Sequence, residues 1–320
     1  MKKTVFGTGS ILFTFFFLII SLFSGCASST KEQNPDFINI PELHNYDVIF
    51  IGEDHFNSEN FDVQLRLMKH YYVEGIRDFA FEAGYADALF IQHYITTGNK
   101  ECLEFLFRAN RRTPGCSEEA LEFYKNIYKW NSKLKDKIKI HGFDVEHKPV
   151  IGIAAIYFFI LKNYREYKDI PLETSSERRQ FIQNYKSGKL RLSNLLTEDS
   201  KLFERIMLGI EQAENIYSVG EINSSLREKY IIENFRAIRK ISKNQKVFAI
   251  MGAWHAALPG FIMGTAQPCL ANALKNEIRI ASVFLGTTRF IRVWPYSIPI
   301  DDTLKVSPYE SPYTGNWPYK

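Results

Sequence analysis

The stretch "DVIFIGEDHF", residues 47–56, decides how the rest of the chain is read. Val48 to Ile51 form a short, unbroken apolar run that stops at Gly52. A run of this length, bounded by glycine, reads as a buried strand rather than a helix. Glu53, Asp54 and His55 follow at once, so acids and an imidazole stand at the carboxyl end of the strand. In sheets of the α/β class that edge is where ligands bind. Glu53 and His55 are two residues apart. In an extended turn their side chains leave on the same side, a geometry in which a carboxylate orients an imidazole.

Working outward, further strands are predicted in 76–84 ("IRDFAFEAG"), 137–146 ("KIKIHGFDVE"), 245–255 ("QKVFAIMGAWH") and 278–286 ("IRIASVFLG"). "FIRVWPY" at 290–296 adds a sixth, as a hairpin partner of the fifth. Helical patterns lie between them, at 58–74, 85–97 and 117–135. The first places Phe61, Leu65, Met68 and Tyr72 on one face. The span 151–244 shows helix signals and no strand, and reads as a helical insertion before the fourth strand, placed like a lid. Its clearest helix is 223–240, where Ser225 and Glu228 fit a capping box. The tail after Trp294, rich in proline and tyrosine, is expected to wrap the surface without regular structure. Strands alternating with helices predict an α/β fold with a mostly parallel central sheet flanked by helices.

Composition sets the frame. The 320 residues are 45% hydrophobic, 24% charged and 15% aromatic, an ordinary globular balance with many large side chains. Residues 1–25 read as a secretory signal peptide: Lys2 and Lys3 precede an apolar run, Ile11 to Phe23, broken only by Thr14 and Ser21. That run is too short to span a bilayer. "FSGC" then resembles a bacterial lipobox, with Phe23 where leucine is usual. The resemblance implies cleavage before Cys26, lipid on its sulfur, and a polar tether over 26–40. The mature chain would be exported and anchored to the cell envelope, facing periplasm or exterior, with one domain over 41–320. Removing Lys2 and Lys3 lowers the formal charge from +4 to +2, too little to argue for nucleic acid. Cys102, Cys116 and Cys269 remain. Export permits a Cys102–Cys116 disulfide, and three buried thiols fit equally well.

The predicted strand ends carry a constellation. Glu53 and His55 follow the first, Glu82 ends the second, and His141, Asp144, Glu146 and His147 follow the third. His255 follows the fourth. One polar strand end is ordinary turn chemistry, whereas four on one rim mark a candidate site. Glu82, in "FAFEAG", is flanked by apolar residues, and a carboxylate buried there needs a partner or a function. Arg227 and Asn234 are seven apart and share a helix face, so Arg227 is placed to offer fixed positive charge. No GxSxG elbow, GxxxxGK[ST] loop, HExxH or GxGxxG occurs, which disfavours a serine hydrolase, a nucleotide enzyme and a zincin.

The segments "IFIGEDH", "FAFEAGYADALFIQHYITTGN", "KIHGFDVE", "REKYIIENFRAI" and "AIMGAWHAAL" occur in an order that resembles erythromycin-esterase-like proteins. The resemblance spans about residues 47–260. Its first motif is one residue shorter here, since only Asp54 separates Glu53 from His55 and Phe56 follows where glycine is usual. That spacing is closer to a related family of haem-binding, iron-regulated lipoproteins. The esterase resemblance implies hydrolysis of a carboxylic ester or lactone. His55 would be general base on a water, helped by Glu53 and Glu82, with His255 and Arg227 in the same cleft and Asp144 and Asn234 touching a small-molecule substrate. No cofactor is required on this reading. A divalent metal on His55, His255, Glu53 and Glu82 is the alternative site chemistry. Haem binding for iron acquisition, or a catalytically silent anchored binding domain, is the alternative function.

Overall fold

The computed structural model describes residues 42–54, 60–110, 116–167, 169–172, 174–192, 194–217, 223–262, 265–285, 290–294 and 297–299. The segments read as signal peptide and tether, Cys26, and His55 with its neighbours to Glu59 lie outside the described residues.

The chain alternates β1 (Val48–Glu53), α1 (Asn60–Val73), β2 (Asp78–Gly84), α2 (Tyr85–Thr97), α3 (Lys100–Ala109), α4 (Glu118–Lys133) and β3 (Lys139–Asp144). Four α-helices follow: α5 (Pro149–Ala155), α6 (Ser175–Lys186), α7 (Thr197–Tyr217) and α8 (Ser224–Ile241). Then come β4 (Val247–Gly252), α9 (Ala253–Ala256), α10 (Leu270–Leu274) and β5 (Ile280–Leu285), with β6 (Phe290–Trp294) and β7 (Ser297–Pro299) last. The strand order is β3-β2-β4-β1-β5-β6-β7. The first five positions in that order are mutually parallel, and β6 and β7 add antiparallel pairs at the β5 edge. The fold is therefore α/β, with the sixth strand a hairpin partner of the fifth. The tail expected to lack regular structure contains β7.

Side-chain alternation on the central strands builds two cores. Val48, Phe50, Ala249 and Met251 face α8 and α10, where Phe235 stacks against Phe50 and Phe143 at 5.2 and 5.7 Å between centroids. Residues of the opposite parity face α1 and α4: Phe248 meets Tyr71 and Phe79, and Phe81 meets Phe123. Both faces of the sheet are covered, as an uninterrupted apolar strand requires. Among the described residues no helix is long and apolar enough to cross a membrane.

Three local readings are corrected. In α1, Leu65 and Met68 face inward as expected, but the stripe continues through Tyr71 while Tyr72 is only half-buried. Helix α3 was not read from the sequence; Asn99 caps it by accepting from the Glu101 N–H. The cap of α8 is Asn223, which accepts from Leu226 N at 3.0 Å, not Ser225. Glu228 is engaged elsewhere and closes no capping box. Cys102, Cys116 and Cys269 are all free and buried.

A bulge interrupts the β2–β3 ladder between Phe81 and Gly84, so β2 holds one residue more than β3 over that interval. Glu82 lies in the bulge, a device that turns a side chain off its regular alternation. Gly142 makes the tight crossing possible. A Cβ there would stand 2.2 Å from the Gly84 carbonyl oxygen, and backbone cannot yield as a flexible side chain can. Gly142→Ala is expected to destabilise the fold by about 1–3 kcal/mol or more, the range for forced overpacking. A thermal melt within a degree of wild type would show that the crossing is looser.

Candidate active site

The topology places the carboxyl ends of β3, β2, β4 and β1 side by side, which sets Asp144, Glu82, the β4–α9 corner and Glu53 along one rim. Glu53 and Gly252 are paired across β1 and β4, and the Gly252 N–H donates to Glu82 Oε2 at 2.6 Å. Gln64 of α1 donates to Glu53 Oε2.

Helix α8 delivers Arg227 onto this rim. Its Nε donates to Asp144 Oδ1 at 3.1 Å, and its Nη2 donates to Asp144 Oδ2 and, at 2.6 Å, to Glu82 Oε1. The planar fork of a guanidinium suits this bidentate grip. His147 Nε2 also lies 2.8 Å from Asp144 Oδ2, and its Nδ1 meets the Tyr217 hydroxyl. Burial opposes ionisation of Asp144, but Arg227 and His147 hold its carboxyl well below the usual range. Glu82 behaves alike: burial works against its charge, and the charges of His255 and Arg227 keep it ionised.

His255, on the single turn of α9, is 9% exposed and lies between two carboxylates. Its Nε2 is 3.4 Å from Glu82 Oε1 and its Nδ1 is 2.6 Å from Glu228 Oε2. The second approach is off the N–H axis, so it acts as a charge contact more than an aligned hydrogen bond. Burial would lower the imidazolium pKa, but Glu82 and Glu228 overcome it and lift it to about 10. At neutral pH His255 is therefore a cation and a donor, not a base.

Glu228 was missed as a site residue. It is fully buried, and its other oxygen accepts from Leu270 N at 2.6 Å, at the start of α10. A signal was present: Glu228 shares the i, i+3, i+4, i+7 stripe with Ile231, Ile232 and Phe235, the inward face of α8. A carboxylate on such a stripe needs a partner.

Three other sequence candidates lie apart. Asn234 is buried and exchanges hydrogen bonds with Gln212 and Arg205, so it ties α8 to α7 away from the Arg227 cluster. The seven-residue spacing put it on the right face of α8, but two turns deeper in the packing. His141 sits inside β3 and pairs with Asp78 at the opposite end of the sheet, 2.8 Å away. Glu146 is buried against Gly209 of α7 and accepts from Ala86 N. Burial and the neighbouring Asp87 raise its pKa well above the carboxylate range.

Among the described residues no group of three or more His, Cys, Asp and Glu side chains is arranged to hold a metal. Within the alternative ligand set, His255 has each ring nitrogen facing a carboxylate.

A cavity of about 550 Å³ opens beside this cluster and includes Arg227, Glu228 and His255 in its lining. Its remaining wall comes from the start of α8 and the loop after α9, with Trp254 and Phe261 prominent.

Likeness to solved structures shows an erythromycin-esterase-like fold. The chain is similar to a histidine-to-asparagine variant of the erythromycin esterase EreC in its open conformation, with a TM-score of 0.51 and 15% identity over 81% of this chain and 78% of that one. It is also similar to a Bacillus cereus protein of known structure, with a TM-score of 0.52 and 16% identity over 85% and 72% of the two chains. A succinoglycan biosynthesis protein matches with a TM-score of 0.50 and 19% identity over 80% and 72%. At these identities the likeness establishes the fold. No protein-family model matches the sequence, and no curated protein matches it significantly.

Proposed function

We propose that this chain is an envelope-anchored hydrolase that cleaves a carboxylic ester or lactone by direct attack of water. The observation that carries this reading is a pair of cations, half-buried Arg227 and buried His255, held by carboxylates at the edge of a ligand-sized cavity. Preorganised positive charge of this kind stabilises an oxyanion without reorganising during reaction. Arg227 Nη1 has no partner among the described residues, while its other two nitrogens are fixed by Asp144 and Glu82.

His55 is the base in this scheme, two residues beyond Glu53. It takes a proton as the water oxygen bonds to the carbonyl carbon, and the carbonyl oxygen gathers charge toward Arg227 and His255. The tetrahedral intermediate then expels the alcohol oxygen, which recovers a proton from His55, leaving a carboxylic acid. The similarity to an erythromycin esterase supports the bond class.

The test is an ester panel that includes macrolide lactones, run with the full-length chain in mild detergent. His55→Ala and Glu82→Gln are each expected to lower kcat/KM by about 100-fold or more, the scale of losing acid–base or oxyanion assistance. Wild-type rates in both variants would remove these residues from the mechanism. For the anchor, labelled fatty acid is expected on the wild-type chain and absent from Cys26→Ala. The same variant is expected to leave the membrane fraction. Unlabelled wild-type protein would overturn the lipoprotein reading.

A further inference from the structure

We propose that the cavity beside Arg227 takes an O-acylated saccharide, with a sugar ring stacked on Trp254 and the acyl carbonyl directed to Arg227 and His255. This rests on the hydrolase reading and names its substrate class.

Trp254 is 64% exposed and Phe261 is 49% exposed, and both line the cavity. An indole left that open is unusual for so large an apolar side chain. Trp254 directly precedes His255 on α9, so one short helix fixes both the aromatic plane and the imidazolium. At the facing wall, Ser224 and Ser225 begin α8, and their hydroxyls have no hydrogen-bond partner among the described residues. Arg227 follows two residues later on the same helix, so hydroxyls, cations and aromatic surface converge on one space.

A pyranose ring presents C–H groups on its face and hydroxyls around its edge. The face suits an aromatic plane, and the edge suits paired serine hydroxyls. A long acyl chain would need an aliphatic wall, because its binding comes from burying methylenes. Ile262 is the one aliphatic residue lining the cavity among the described residues. An aryl ester would stack on Trp254 but leave both serines facing apolar surface, which gains nothing.

The experiment has two arms on the full-length chain in mild detergent. The first titrates tryptophan fluorescence with cellotetraose, xylotetraose and chitotetraose, none of which carries an O-acyl ester. A saturable change with at least one sugar, lost in Trp254→Ala, is expected. The second compares hydrolysis of the O-acetylated form of that sugar, 4-nitrophenyl acetate and tributyrin. Trp254→Ala is expected to lower kcat/KM for the acetylated sugar at least tenfold more than for 4-nitrophenyl acetate, with its melting curve unchanged. Equal losses on both esters, or no fluorescence response to any sugar, would overturn the saccharide assignment. Sugar binding without cleavage of any ester would keep the saccharide site and overturn the hydrolase reading. Cleavage of tributyrin without sugar binding would do the reverse.

Discussion

Replacing Arg227 by methionine is expected to cost about 3–5 kcal/mol of stability, the scale for breaking a buried ion pair from one side. The substitution keeps most of the side-chain volume but strands two carboxylates. Glu82 is 10% exposed at its side chain and Asp144 only 1%, so water compensates little for the lost guanidinium. Both are held ionised largely by Arg227 and the flanking histidines. Asp144→Asn in the Arg227→Met background should recover part of the loss, because an amide leaves less uncompensated charge buried. Equilibrium urea unfolding at pH 7 measures both. The loss should change little between low and moderate salt, since buried pairs are poorly screened. A cost below 1 kcal/mol would mean that the pairs are solvated, and the oxyanion role of Arg227 would lose its physical basis.

The second large effect is a pH dependence centred on His255. Its pKa is 6.5 in a model peptide and about 10 here, raised by Glu82 and Glu228 against the effect of burial. A raised pKa stabilises the folded state fully below 6.5, and that contribution is lost as pH rises through about 10. At roughly 1.4 kcal/mol per unit, the loss amounts to several kcal/mol. The carboxylates act in the other direction. Glu82 and Asp144, with lowered values, contribute stability that is lost as pH falls below the ordinary carboxylate range. Glu146 and Asp87, with raised values, contribute stability at low pH that falls away as pH rises. Comparing wild type with His255→Gln from pH 6 to 10 cancels the groups common to both. The wild type should lose several kcal/mol more across that interval. Equal slopes would mean that His255 is not held as a cation.

Much of this architecture can be read along the chain because it is set by local pattern. The apolar runs ending at Gly52, Glu82 and Gly252 mark strands, since a short stretch that is apolar on both faces has few other stable conformations. The boundaries of α2 match the helix read over 85–97, with Gly98 ending it at φ 75°, where glycine is favoured. Where local pattern failed, tertiary packing was responsible. Tyr71 replaces Tyr72 in the α1 stripe because it meets Phe248 of the sheet. Glu228 is drawn from a helix cap into the site because His255 and Leu270 N lie beneath it.

Residue types at strand ends were enough to nominate Glu53, Glu82, Asp144 and His255 as neighbours, because a parallel sheet gathers its carboxyl ends on one edge whatever the strand order. Which groups pair, and in what charge state, depended on the three-dimensional arrangement. Arg227 meets Glu82 across 145 residues, and Gly252 meets it across 170. Those contacts follow from the β3-β2-β4-β1 order, the bulge that turns Glu82, and the docking angle of α8. None of these leaves a mark in spacing. Coulomb energies depend on separation and burial in space, so the charge that Glu82 and Glu228 hold on His255 could not be read from its place at a strand end.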